Sequence, residues 1–204
     1  MIKSFRNFQK LIIIKNHFKL IILFVFSLYF SCSQPTINCE IKSSKGNIII
    51  ELYPEKAPIT VANFLNYVDH GLYNNSSFFR VCTPQNEADR EIKIEVIQGG
   101  NIDETKSFAP IKIETTEQTG IKHLNGTVSM ARLGPDTATS QFFICINDQP
   151  ELDYQGKRNP DGQGFAAFGQ VIEGMDVVLK IQKQKDEGQY LVKPIVIKSI
   201  KRIR

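Results

Sequence analysis

Side chains that could do chemistry are concentrated in the run from Met130 to Cys145, where a polar, turn-rich loop leads straight into an apolar strand. Successive side chains of a strand point to opposite faces. Gln141, Phe143 and Cys145 therefore share one face of Ser140–Ile146, and Phe142 and Ile144 the other. One face suits a core; the other sets an aromatic ring beside an amide. Val96 and Gln98 repeat the arrangement, offering an apolar wall and a hydrogen-bonding amide from one strand edge. Arg80, in Ser77-Phe78-Phe79-Arg80, adds a guanidinium that is permanently charged and rigidly forked. Taken singly, Arg80 reads as a surface arginine, Gln98 as a strand-end amide and Phe143 as a core phenylalanine. A strand buried on both faces also accounts for the apolar run.

Other chemistries find little support. His17 lies near the N-terminus, His70 at a helix end and His123 in a loop, and none sits beside a serine or cysteine motif that would make a nucleophile. Neither ligand spacing for a metal nor a CxxC pair occurs. Gly162-Gln163-Gly164 lacks the strand and helix that frame a phosphate loop. No metal or cofactor is expected. Of the four cysteines, Cys39, Cys82 and Cys145 would remain if Cys32 is modified, enough for one disulfide at most. Cys145, inside an apolar strand, is most simply a small core residue.

The 204 residues suit one domain plus an appendage. The formal charge of +4 belongs to the N-terminus: Met1–Ser31 holds Lys3, Arg6, Lys10, Lys15 and Lys19 and no acid, leaving 20 basic against 21 acidic residues beyond it. A near-neutral domain argues against nucleic acid as principal partner. The apolar stretch Leu20–Phe30 is eleven residues long, short of the roughly 20 that a membrane span needs, so residues 1–31 read as an export signal. A non-cleaved anchor is the alternative. Cys32 directly after Ser31 resembles a bacterial lipoprotein signal, with Cys32 as the lipidated N-terminus, a tether over 32–38 and a domain over 39–204. Ordinary cleavage after Ser33, with a soluble periplasmic product, competes with it. The expected location is the cell envelope, membrane-anchored and facing the periplasm or the cell surface.

The elements that must position these residues are short. Cys39–Lys42 and Asn47–Leu52 flank the turn Ser43-Ser44-Lys45-Gly46, a hairpin signal. Val61, Phe64, Leu65 and Val68 recur with helical period up to Gly71. Strands follow at Ser77–Cys82, Val96–Gly99, Gly126–Arg132, Ser140–Ile146 and Phe165–Val171. A second helix runs from Met175 to about Gln184, and Pro194–Ile200 is a closing strand. Many short strands with two helices predict a mainly β, closed barrel. Thr83–Ile94 and Tyr154–Gly164 are too long and polar for turns and read as solvated insertions.

Four motifs, in order, resemble the cyclophilin family of peptidyl-prolyl cis-trans isomerases: Ser77-Phe78-Phe79-Arg80, Val96-Ile97-Gln98-Gly99-Gly100, Met130-Ala131-Arg132 leading to Ser140–Ile144, and Phe168-Gly169-Gln170-Val171 with Gly174–Val178. The match spans about Cys39 to Ile203. It implies an eight-stranded antiparallel β-barrel capped by two α-helices, acting as a monomer on proline-containing polypeptides without a cofactor. By resemblance Arg80 and Gln98 are catalytic and Phe143 is the floor of a proline pocket, with Val96, Met130 and Leu152 around it. Gln141 would hydrogen-bond the peptide, Ala131 leaves it room, the Arg132 backbone pairs with it, and Phe165 stands near the pocket. Departures are Phe79 and Phe165 at positions usually held by His, Glu95 at that of a wall Phe, and Glu151 at that of an aromatic that contacts cyclosporin. The alternative is a proline-peptide-binding or chaperone module with little turnover.

Overall fold

Isoleucines and leucines alternating with polar residues build the first hairpin: Ile41, Ile48, Ile50 and Leu52 are fully buried on one face, the period-2 pattern of a sheet with one face in a core. A computed structural model describes residues 35–203. Its strands are β1 (Ile37–Ser43), β2 (Gly46–Leu52), β3 (Ser76–Cys82), β4 (Val96–Gly99), β5 (Thr127–Met130), β6 (Phe142–Cys145), β7 (Ala166–Glu173), β8 (Asp186–Glu187) and β9 (Tyr190–Ile203). Helices are α1 (Pro58–Asp69), α2 (Thr116–Thr119) and α3 (Met175–Gln182).

Eight strands pair antiparallel in the order β1-β2-β7-β5-β6-β4-β3-β9, and β9 pairs back onto β1, so the barrel closes and leaves no free edge. The two-residue strand β8 folds onto the start of β9 outside that circuit. Pro194, which lacks the N–H a ladder uses, sits where β9 parts from β3 between Tyr190 and Ile195. The interior is aromatic at its centre: Phe64 of α1 meets Phe168, Tyr73 and Phe142 at centroid distances of 5.2, 5.3 and 5.5 Å. Pro58 occupies the first turn of α1, and Glu114 accepts hydrogen bonds from the Ile59 and Thr60 N–H groups at 3.1 and 2.8 Å, supplying the cap that Ala57 cannot.

The expected closed barrel and its two capping helices are present, with α2 as an added single turn. Three boundaries move. The domain begins before Cys39, because Ile37 and Asn38 already pair with Leu52 and Glu51; α3 stops at Gln182; and the closing strand runs from Tyr190 to Ile203. The signal segment 1–31 and Cys32 lie outside the described residues.

Candidate active site

On β6 the alternation separates two environments. Phe142 and Ile144 join the barrel core, whereas Phe143 and Cys145 belong to a second apolar cluster on the outer face, with Cys82, Ile94, Val96 and Leu152 and with Ala131 and Phe165 packed against it. Above this cluster lies a cleft of about 620 Å³ lined by Arg80, Val96, Gln98, Ala131, Arg132, Gln141, Phe143, Leu152 and Phe165. Nine of the ten expected peptide-site residues converge there. Met130 does not: it is fully buried in the barrel core. Alternation along β5 explains this, since Ala131 faces the cleft and its neighbour must then turn inward.

Arg80 reaches the cleft through an irregularity. Pairing of β3 with β4 passes from Phe78 opposite Gly99 to Arg80 opposite Gln98, so Phe79 is an extra residue, a β-bulge. Phe78 and Val81 are fully buried while Phe79 and Arg80 both line the cleft. Arg80 Nη1 donates to Gln98 Oε1 at 2.8 Å, and Gln98 Nε2 donates on to Gln141 Oε1 at 2.8 Å. On the other side, Arg80 Nε and Nη2 donate to Gln189 Oε1 at 3.0 and 2.5 Å. A guanidinium carries five N–H donors, so one on each terminal nitrogen has no partner among the described residues.

Phe143 is rigidly held. Phe165 meets it edge-on at 5.4 Å and 89°, and His123 stacks beside it at 6.0 Å and 16°. His123 lies in a loop, as its sequence position suggests, and is a buried strut with both ring nitrogens partnered. Its Nδ1 lies 2.8 Å from Asp153 Oδ1 and its Nε2 3.0 Å from Ser129 Oγ. The trio has the connectivity of a nucleophilic triad, yet Ser129 is fully buried and His123 1% exposed, so no substrate reaches the hydroxyl. Burial pushes the His123 imidazole below its ordinary value despite the opposing pull of Asp153. Burial likewise raises the thiols of Cys82 to about 11 and Cys39 to about 12, so neither is a thiolate at neutral pH.

The two long loops are largely open to solvent, as expected, but a buried ion pair pins them to each other. Glu87, from the first, is 2% exposed and receives both terminal nitrogens of Arg158, from the second, one of them at 2.9 Å. The Ile94 N–H donates to the same carboxylate at 2.8 Å. Burial drives the Glu87 carboxyl upward, but the Arg158 and Ile94 hydrogen bonds together hold it below its ordinary value. Folding the first loop inward brings Ile94 to the cleft, where it stands as the apolar wall that Glu95 cannot be; Glu95 turns away and accepts from Asn147. Arg132 is stapled to the second loop by a bidentate pair with Asp161 at 2.7 and 2.8 Å and by the Gly164 carbonyl. Its guanidinium covers the Phe165 ring at 5.1 Å.

A family model described as cyclophilin type peptidyl-prolyl cis-trans isomerase/CLD matches residues 36–202. A peptidyl-prolyl cis-trans isomerase of Acinetobacter baylyi is 44% identical over 147 residues, 70% of each chain. Peptidyl-prolyl cis-trans isomerase A of Dickeya dadantii is 38% identical over 192 residues, 89% of this chain and 92% of that one. A Cryptosporidium parvum cyclophilin crystallised in the presence of the dipeptide Ala-Pro shares the fold with a TM-score of 0.66 at 23% identity, covering 82% of this chain and 99% of that one. The barrel, the outward-facing cleft and a family match over almost the whole described chain agree: this protein belongs to the cyclophilin-type peptidyl-prolyl cis-trans isomerases, which catalyse rotation about X-Pro peptide bonds.

Proposed function

We propose that Arg80 is the group that lowers the rotation barrier, with Phe143 as the floor for the proline ring and Gln98 and Gln141 as hydrogen-bonding partners of the peptide. Amide resonance sets an uncatalysed barrier of about 18–20 kcal/mol. As the bond twists, the proline nitrogen becomes pyramidal and regains a lone pair that the planar amide lacks. A fixed N–H aimed at that nitrogen stabilises the twisted amide more than the planar one, which is the condition for catalysis. The observation that carries this reading is the incomplete saturation of Arg80: neutral acceptors fix three of its donors and leave two available at the cleft. No proton changes hands, so the His-to-Phe departures at Phe79 and Phe165 remove nothing the reaction uses.

The solved relative was crystallised with Ala-Pro, which supports proline-containing peptides as the substrate class here. Arg80→Ala is expected to lower kcat by roughly 10²–10³-fold while the Kd for an Ala-Pro-containing peptide changes only a few-fold. Phe143→Ala is expected to raise that Kd instead. Full turnover by Arg80→Ala contradicts the assignment; peptide binding by the native protein without turnover establishes a gripping module in place of an enzyme.

Export and a lipid tether at Cys32 are part of the same proposal, resting on the basic leader and the Ser31-Cys32 junction. The client chains would then be exported proteins folding in the cell envelope. Mass spectrometry of the mature N-terminus tests this: a diacylated Cys32 that disappears in Cys32→Ser supports it, and a free N-terminus at Gln34 contradicts it.

A further inference from the structure

Gly188 and Gln189 form the whole loop between Glu187 and Tyr190, which pair directly across the β8–β9 hairpin. Both have positive φ, 57° and 79°. A two-residue loop of this kind favours glycine at its second position, and a residue with a Cβ is held there against its own preference. Glutamine in that place calls for a use of its side chain. Its Oε1 accepts two hydrogen bonds from Arg80, and its Nε2 donates to Glu87 Oε1 at 3.2 Å. The Gln189 carbonyl also accepts from the Val81 N–H at 2.8 Å, next in chain to Arg80.

Glu87 is in turn fixed by Arg158 and by the Ile94 N–H. A continuous path therefore runs from one long loop through the other to the hairpin tip and onto Arg80. Gln98, itself bonded to Gln141, holds the guanidinium from the opposite side.

We propose that Gln189 is a positioning residue for Arg80, and that the buried Glu87–Arg158 pair couples the two long loops to catalysis by fixing the Gln189 amide. This rests on the reading of Arg80 as the barrier-lowering donor. Without Gln189 the guanidinium keeps its charge and its contact with Gln98 but can swing about that single tether. Small displacements of a reacting group are costly in rate.

Gln189→Gly tests this cleanly, because glycine relaxes the turn while deleting the amide. We expect kcat for an Ala-Pro-containing peptide to fall roughly tenfold or more, with KM within about threefold and a melting temperature equal to or above that of the native protein. In an Arg80→Ala background the same change is expected to have no further effect on the residual rate. An unchanged kcat in Gln189→Gly while Arg80→Ala is impaired overturns the positioning role alone. So does a loss of rate that comes with a lowered melting temperature, or that persists in the Arg80→Ala background. Native kcat in Arg80→Ala overturns the underlying reading of Arg80.

Discussion

At the scale of the residue, the chemistry depends on the shape of one guanidinium. Arg80 must do two things together: anchor itself on Gln98 and Gln189, and keep an N–H free for the peptide. A lysine ammonium is a point charge on a flexible stem and cannot fork between two anchors. Arg80→Lys is therefore expected to retain the charge and still lose on the order of tenfold to a hundredfold in kcat/KM. Steady-state kinetics check this, and a lysine variant as fast as the native protein would show that charge alone suffices. Arg80, Gln98, Gln141 and Phe143 were legible in the sequence because motif order and strand alternation both bear on them. Gln189 was not, since nothing in a Gly-Gln-Tyr turn announces a partner 109 residues away. The departures at Glu95 and Glu151 were legible as well, and only the first is compensated, by Ile94. With Glu151 in place of an aromatic and no tryptophan in the chain, cyclosporin is expected to bind weakly. Titration calorimetry giving a Kd in the micromolar range or above agrees with this; a nanomolar Kd contradicts it.

At the scale of the element, alternation predicts faces wherever the ladder is regular and fails where it is not. It assigned Phe142 and Ile144 to the core and Phe143 to the cleft, and applied outward from Ala131 it also places Met130 inside, a signal available before the structure. On β3 the bulge at Phe79 breaks the period and turns two consecutive residues toward the cleft. A bulge is set by pairing with a partner strand, which a single strand's sequence does not display. The long loops are solvated along most of their length, as their sequence suggests, but their mutual anchor is not visible in it for a related reason. Their charged residues look suited to water one by one, but Glu87 and Arg158, 71 positions apart, bury each other. Removing one member leaves the other as an unpaired buried charge, at a cost of about 3–5 kcal/mol. Glu87→Leu is expected to lower unfolding stability by that amount in urea titrations. A change within about 0.5 kcal/mol, as for an ordinary surface substitution, would mean that the pair is solvated in solution.

At the scale of the whole molecule, closure by β9 onto β1 puts the ends of the domain side by side, and acid should loosen it in a defined way. His123 has its pKa below its ordinary 6.5 because of burial. Glu87 is pushed up by burial, yet the bonds from Arg158 and Ile94 keep it below its ordinary 4.5. In each case the unfolded chain takes up the proton first, so stability rises with pH across both windows. The urea midpoint is expected to be level between about pH 6.5 and 8, to decline below that range as His123 resists protonation, and to decline again below about pH 4.5. His123→Asn should abolish the first decline. Stability that increases on acidification from pH 7 to 5 would contradict these assignments.

The reaction itself should ignore that titration where the fold is intact, because an arginine and two amides exchange no proton. The most direct test is the cis-trans exchange rate of an Ala-Pro-containing peptide, measured by magnetisation transfer with the full chain at several pH values from about 7 to 9. Acceleration that stays constant across that range is the predicted result. No acceleration, or an acceleration that titrates like a proton relay, would contradict catalysis by the fixed donor of Arg80.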